Sequence, residues 1–313
     1  MVGRVMIVMV GVLVASAAAT GALLAPTGPW AAGLLVLVWS AARAPAGPIV
    51  DAGAVHLLGP RYGRVRAVGS VAFLVASVGC GLIRDVWGPG PIVVSAALTL
   101  VTLALTPPVA RALPPRAPIP PSRSAWLALW RHPVLVPLAA VSLLHGAAMS
   151  SYDNLFALHV ERLGLPAWVT GAGIAGGVSV EVGVLVFGAP LLARFGAPTL
   201  LAAAVASSIP RFAITADATH PAALIAAQGL HGIGFGAFWL AATSLFAAHS
   251  PPGLRNSAQG LLVSAMFGAG PVLGLLLATQ VLPVAGTAGT FALAAGLSAA
   301  ALGVLGLARR RAA

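Results

Sequence analysis

The sequence predicts an all-α, polytopic membrane protein with about ten transmembrane helices in two bundles. Composition is the first reason. Apolar residues make up 59% of the 313 residues and charged residues only 7%, where a soluble domain carries about 25%. Segment length is the second. Apolar runs of roughly 20 residues, enough to cross a bilayer core about 30 Å thick, recur between proline- and glycine-rich breaks. The third is the placement of positive charge: all 17 basic residues are arginines, and they cluster between the apolar runs.

Taken in order, the spans lie near residues 5–24, 30–57, 67–84, 91–107, 133–157, 167–192, 198–216, 221–247, 257–282 and 286–307. Breakers separate them, as in Pro26-Thr27-Gly28-Pro29, Gly88-Pro89-Gly90-Pro91 and Pro251-Pro252-Gly253. The first span also has the form of a signal peptide, with Ala15-Ser16-Ala17 as a cleavage site; the other nine place the protein in the membrane either way. Arg43, Pro45, Pro48 and Asp51 interrupt the second span, which reads as a kinked helix. Residues 108–132 carry Pro114, Pro115, Pro118, Pro120 and Pro121 among arginines and read as a cytoplasmic linker. The expected organisation is a partial N-terminal bundle of four spans (1–107), that linker (108–132), and a six-span C-terminal bundle (133–313).

With the N-terminus inside and the spans alternating, the cytoplasmic segments hold Arg4, Arg61, Arg64, Arg66, Arg111, Arg116, Arg123, Arg131, Arg194, Arg255 and Arg309–Arg311. The outer segments hold only Arg84 and Arg162. That asymmetry obeys the positive-inside rule and predicts a multi-pass cell-membrane protein with both termini cytoplasmic. The net charge of +11 therefore reflects flanking arginines facing the lipid bilayer. It gives no continuous basic, aromatic-bearing face for nucleic acid. The lone Cys80 excludes an internal disulfide and a cysteine-based zinc site. No metal-ligand spacing occurs, and no cofactor or metal is expected.

Charges inside the spans are informative because each is costly. Arg43, Asp51, Asp153, Glu181 and Arg211, uncompensated, would cost on the order of 12 kcal/mol together on insertion scales. They must pair, face water or be protonated; His145, His159 and His231 share their depth. Glu181, Arg211 and His231 fall in the sixth, seventh and eighth spans, within reach of one another through a long arginine side chain. Two readings stay open for them: a static ion pair that fixes helix packing, or a carboxylate whose protonation depends on the arginine, which suits a proton carrier. Tyr152-Asp153-Asn154 is either a hydrogen-bonding cluster for a solute or a helix end meeting headgroups. Asp51 is positioned to pair with Arg66, unless Arg66 snorkels to the interface.

Enzyme readings fail on motif. There is no G-x-S-x-G for a serine nucleophile and no Gly-x-Gly-Asp to complement Tyr152-Asp153 as an aspartyl protease. With no lysine there is no phosphate-binding G-x-x-x-x-G-K-[ST].

The chain resembles the last ten of twelve helices of a major facilitator superfamily transporter, most closely the branch of lactose permease-like sugar/proton symporters and phenylpropionate permeases. Gly63-Arg64-Val65-Arg66-Ala67-Val68-Gly69-Ser70 resembles that family's entry to its fifth helix, and Tyr152-Asp153 its seventh-helix Tyr-Asp. Gly188-Ala189-Pro190-Leu191-Leu192-Ala193-Arg194-Phe195-Gly196 is similar to a degenerate copy of the superfamily's loop motif, with Ala193 where an aspartate is usual. The resemblance implies substrate binding by Asp51, Arg66, Tyr152, Asp153 and Asn154, and proton coupling by Glu181, Arg211 and His231. It departs at Gly234, where the family carries its proton-carrying glutamate, and at Phe156, where a second acid would fall. It also lacks the first two helices, which fits either a start site chosen too far downstream or an N-terminally truncated relative.

The expected function is secondary active transport of a small organic solute, sugar-like or an aromatic or organic acid, coupled to protons by alternating access. A non-transporting truncated relative, acting as a scaffold or inactive remnant, is the alternative.

Overall fold

The computed structural model describes residues 2–22, 62–112, 129–251 and 254–312, with scattered positions between 25 and 39 and Leu127. Most of the second expected span, including Arg43 and Asp51, and much of the expected linker lie outside the described residues. Every regular element among the described residues is helical. The chain divides into two compact units, Met1–Ile119 and Pro120–Ala313, and the division falls inside the proline-rich stretch.

The N-terminal unit contains α1 (Val2–Ala22), α2 (Tyr62–Val86) and α3 (Gly90–Ala112). Leu13, Ser16, Ala19 and Thr20 lie on one buried face of α1, which packs on α3. Small residues let the two backbones approach. Thr20 and Thr99 each turn their hydroxyl back onto the carbonyl four residues earlier, of Ser16 and Ser95, at 2.8 Å. Those polar groups are thereby satisfied inside their own helices. On α2, Val68, Val71, Phe73, Val75 and Leu82 are exposed, as suits a surface solvated by lipid tails. Helix α3 outruns its expected end at 107: the tandem Pro107-Pro108 does not stop it, and helical backbone continues to Ala112.

The C-terminal unit is built around α4 (Leu135–Arg162), whose residues His145 to Tyr152 are all buried. It is followed by α5 (Trp168–Val186), the short α6 (Gly188–Phe195), α7 (Ala197–Asp217) and α8 (Pro221–Ala248). Next come α9 (Arg255–Val263) and α10 (Gly270–Ala312). A π-helical turn, Ile233–Ala237, interrupts α8; a second, Ser264–Ala269, joins α9 to α10.

Residue pairings fix the relative directions. Gly146 lies against Met266, and Gly270 and Gly274 lie against Leu143, Ala147 and Ser150, so the first half of α10 runs parallel to α4. Beyond Gly286 the order reverses, with Thr290 beside Ser151 and Thr287 beside His159. Gly286 carries the break, at φ 64° and ψ −167°, a region open essentially to glycine alone. Gly289 then lies against Val281, eight residues back, where a continuous helix would hold them about 12 Å apart. The long α10 is therefore two helical segments that run in opposite directions. By the same logic α7 runs parallel to α4, while α5 and α8 run antiparallel to it. Successive long segments of this unit thus alternate in direction among the described residues.

The sixth span ends earlier than expected. It stops at Val186 rather than 192, because Pro190 has no N–H to offer the Val186 carbonyl and its ring crowds that position. The chain restarts as α6, with Pro190 in its first turn, and closes at Gly196 with φ 74°. The stretch resembling a loop motif is thus mostly a short helix.

Candidate functional site

A polar cluster sits inside the C-terminal unit where α4, α5, α7 and α8 meet. Helical spacing assembles it. Met149, Tyr152 and Phe156 share a buried face of α4. Ser208, Arg211, Phe212 and Thr215 share one on α7, and Gln228 and His231 share one on α8. Glycines let the backbones close in. A Cβ on Gly177 would come within 2.8 Å of the Gln228 carbonyl, and one on Gly232 would collide with the α5 backbone at Val180 and Glu181. The Gly173-x-x-x-Gly177 and Gly270-x-x-x-Gly274 pairs are both at close helix contacts.

Arg211 is fully buried. Its guanidinium carbon lies 4.2 Å from the Tyr152 ring centroid and 4.7 Å from that of Phe212, so two π faces offset part of its lost hydration. Nε donates to Gln228 Oε1 at 2.9 Å, and Nη1 donates to Met149 Sδ at 3.2 Å. Gln228 is held in turn, its Nε2 donating to Thr215 Oγ1 at 3.2 Å and to the Leu224 carbonyl at 3.3 Å. The Tyr152 ring lies against His231, tilted by 36° with centroids 5.1 Å apart. His231 Nε2 stands 4.0 Å from Glu181 Oε2. The sequence-predicted trio is thus gathered, but in series: Glu181 to His231, His231 to Tyr152, Tyr152 to Arg211.

Within this series, three buried atoms have no hydrogen-bond partner among the described residues: Arg211 Nη2, Tyr152 Oη and His231 Nδ1. Buried polar groups are ordinarily paired, so the cluster retains unused hydrogen-bonding capacity for a solute or water. Asp153 and Asn154 follow Tyr152 on the exposed side of α4, where Asn154 donates to the Ser150 carbonyl at 2.9 Å. Asp51 lies outside the described residues, and Arg66 is described as helical backbone of α2 alone.

Gly234, the position at which the resemblance implies a glutamate, sits in the π turn against α7. A Cβ there would meet Ser208 Oγ at 2.8 Å, so any larger residue at this position requires the Ser208 hydroxyl to turn away. The Gly234 carbonyl instead accepts from His145 Nε2 at 3.1 Å, while the His145 ring stacks on Phe238 at 4.2 Å. Towards the Thr287 end, His159 bridges α7 and α10, its Nε2 donating to the Thr215 carbonyl at 2.9 Å and its Nδ1 facing Thr287 Oγ1 at 2.8 Å. Sequence reading missed Gln228 and Thr215. The available signal was a lone amide three residues before His231, on the same face of an apolar span. Among the described residues no group of three or more metal-ligating side chains occurs.

The sequence model of the MFS_1-like family matches residues 1–293. The chain belongs to this family, within the major facilitator superfamily. This major facilitator protein is accordingly a multi-pass membrane protein and a secondary transporter of a small-molecule solute, not an enzyme. No curated protein matches its sequence. Its fold is similar to a crystal structure of the nucleoside transporter NupG, with 16% identity and a TM-score of 0.77 over 97% of this chain and 82% of that one. A point mutant of NupG matches with 16% identity and a TM-score of 0.80, covering 97% and 83%. At that identity the likeness is one of fold alone.

Proposed function

We propose that this protein carries a small organic solute, sugar-like or an aromatic or organic acid, across the cell membrane by alternating access coupled to protons. In this reading both termini are cytoplasmic, residues 1–107 and 133–313 are its helical bundles, and 108–132 is a cytoplasmic linker. The observation that supports it best is the series Glu181, His231, Tyr152, Arg211, buried from His231 onward, with its three unpartnered polar atoms. A site that only fixed helix packing would satisfy its polar atoms; one that exchanges protons and solute has reason to keep them open.

Glu181, Arg211 and His231 serve proton coupling. Glu181 and His231 share one contact, so a proton arriving at either changes the charge of the pair, and Tyr152 relays that change to Arg211 by contact. Tyr152, Asp153 and Asn154 serve the solute; Asp51 and Arg66 join them through resemblance to the lactose permease-like and phenylpropionate permease branch. Glu181, the acid that stands against His231, carries the proton within this cluster.

The test is uptake of a labelled solute panel into proteoliposomes holding the full chain, with and without an inward proton gradient. Gradient-driven accumulation that is lost in Arg211→Ala is expected. Accumulation by that variant equal to the parent's would remove the cluster from the mechanism.

A further inference from the structure

Five rings form a continuous ladder in the C-terminal unit. Tyr152 and His231 have centroids 5.1 Å apart, and His231 and Phe235 lie 5.6 Å apart at an interplanar angle of 15°. Phe235 and Phe267 are separated by 6.2 Å, and Phe267 and Trp239 by 5.5 Å. Three rungs, His231, Phe235 and Trp239, are four residues apart on α8. In an α-helix of 3.6 residues per turn such positions drift around the axis. The π turn Ile233–Ala237 lies between the first and the last, and its wider winding brings them back onto one face. Phe267 belongs to the second π turn. Both interruptions of helical geometry, of a kind concentrated at functional sites, therefore carry a rung.

Exposure grades along the ladder. Tyr152 and His231 are buried at 7% and 8%, Phe235 and Trp239 are partly buried, and Phe267 is 50% exposed. The sealed end holds the unpartnered Tyr152 Oη and His231 Nδ1. A stripe turned only to lipid would not start at an ionisable pair such as His231 and Glu181, because such groups are costly against hydrocarbon.

We propose that the ladder is the recognition surface for a planar ring in the solute: an aromatic or heteroaromatic ring with polar substituents on one edge. The inference rests on the transport reading above and names its substrate class. The ring packs against Phe235, Phe267 and Trp239 in offset or edge-to-face geometry, and its polar edge points toward Tyr152 and His231. A ring-free solute of equal polarity gains nothing from this surface.

The test is equilibrium binding of radiolabelled uridine and 4-hydroxybenzoate, against ring-free mannitol and lactate, to the purified full chain, with counterflow measured in proteoliposomes. Saturable binding of a ring-bearing probe is expected, weakened about tenfold in a Phe235→Leu/Phe267→Leu variant of unchanged melting temperature. Leucine keeps the apolar volume and removes the π face. Ring-dependent binding without counterflow would support the ladder and overturn the transport reading. Counterflow of mannitol or lactate that is unaffected by the substitutions would overturn the ladder and leave the transport reading standing. Binding of none of the four probes, or equal binding by parent and variant, would overturn the ladder.

Discussion

Arg211 Nε donates to Gln228 Oε1 at 2.9 Å, so a fully buried guanidinium is anchored by a neutral amide while the His231 ring stands beside Glu181. The arrangement separates two tasks. The amide and the two ring faces compensate the arginine's burial, and the acid keeps a separate partner in the His231 ring.

Removing the amide should therefore act through stability first. Gln228→Leu leaves the Arg211 Nε–H and the Thr215 hydroxyl region without their polar neighbour. A hydrogen bond to a charged group contributes about 1.5–3 kcal/mol, and a loss of about 2 kcal/mol is expected. Thermal unfolding of detergent-solubilised protein checks it. Gln228→Glu, which restores an acceptor to Nε, should recover most of the loss. Equal destabilisation by both variants would show that side-chain shape, and not the bond to Arg211, is what matters.

Close helix approach gives a second expectation. Gly177→Ala drives a methyl group to within 2.8 Å of the Gln228 carbonyl, and overpacking of this kind typically costs about 1–3 kcal/mol. Gly176, its chain neighbour, has nothing within 4 Å of an added Cβ. Gly176→Ala should be neutral or stabilising by up to about 1 kcal/mol, the helix-propensity gain of alanine over glycine. The two variants melt in opposite directions if the Gly177 contact is as tight as the geometry shows.

Much of this architecture was legible in the sequence, for reasons of cost. A span must be apolar over about 20 residues, and an internal charge must have a reason, so the C-terminal spans and the Glu181, Arg211 and His231 set stand out in a chain with so few charges. What was not legible depends on tertiary contact. Gln228 and Thr215 are ordinary polar residues until α7 and α8 are packed. The π turns leave no mark in hydropathy, because Gly234 and Gly236 read equally as small packing residues. The end of α5 was misplaced because the apolar run continues past Pro190 to residue 192, whereas the proline acts four residues before itself, at the Val186 carbonyl. Gly234 is the instructive case. The sequence shows a glycine where the resemblance implies an acid; the structure shows that a side chain there would first press on the Ser208 hydroxyl.

The break in α10 rests on a single backbone conformation. At Gly286, φ 64° and ψ −167° lie where a side chain costs about 1–3 kcal/mol, with nothing within 4 Å of an added Cβ. The effect of Gly286→Ala is therefore backbone strain without a clash. We expect a lower melting temperature, with the hydrogen bond of His159 to Thr287, one residue past the break, among the contacts disturbed. Unchanged stability would mean that the reversal is set by packing on either side of the break.

The role assigned to Glu181 can be separated from its place in the packing. If it carries the coupled proton, Glu181→Gln keeps the side-chain shape and an oxygen facing His231 Nε2 but mimics the permanently protonated acid. Exchange of labelled for unlabelled solute requires no net proton release, whereas accumulation against a gradient does. Glu181→Gln should then support exchange at a rate near the parent's and fail to accumulate solute when an inward proton gradient is imposed. Its uptake should be the same with the gradient present or collapsed by an ionophore. Loss of both activities, with the melting temperature unchanged, would place Glu181 on the solute instead. Retention of gradient-driven accumulation would show that the proton travels by another group, with His231 the next to substitute because it shares the 4.0 Å contact.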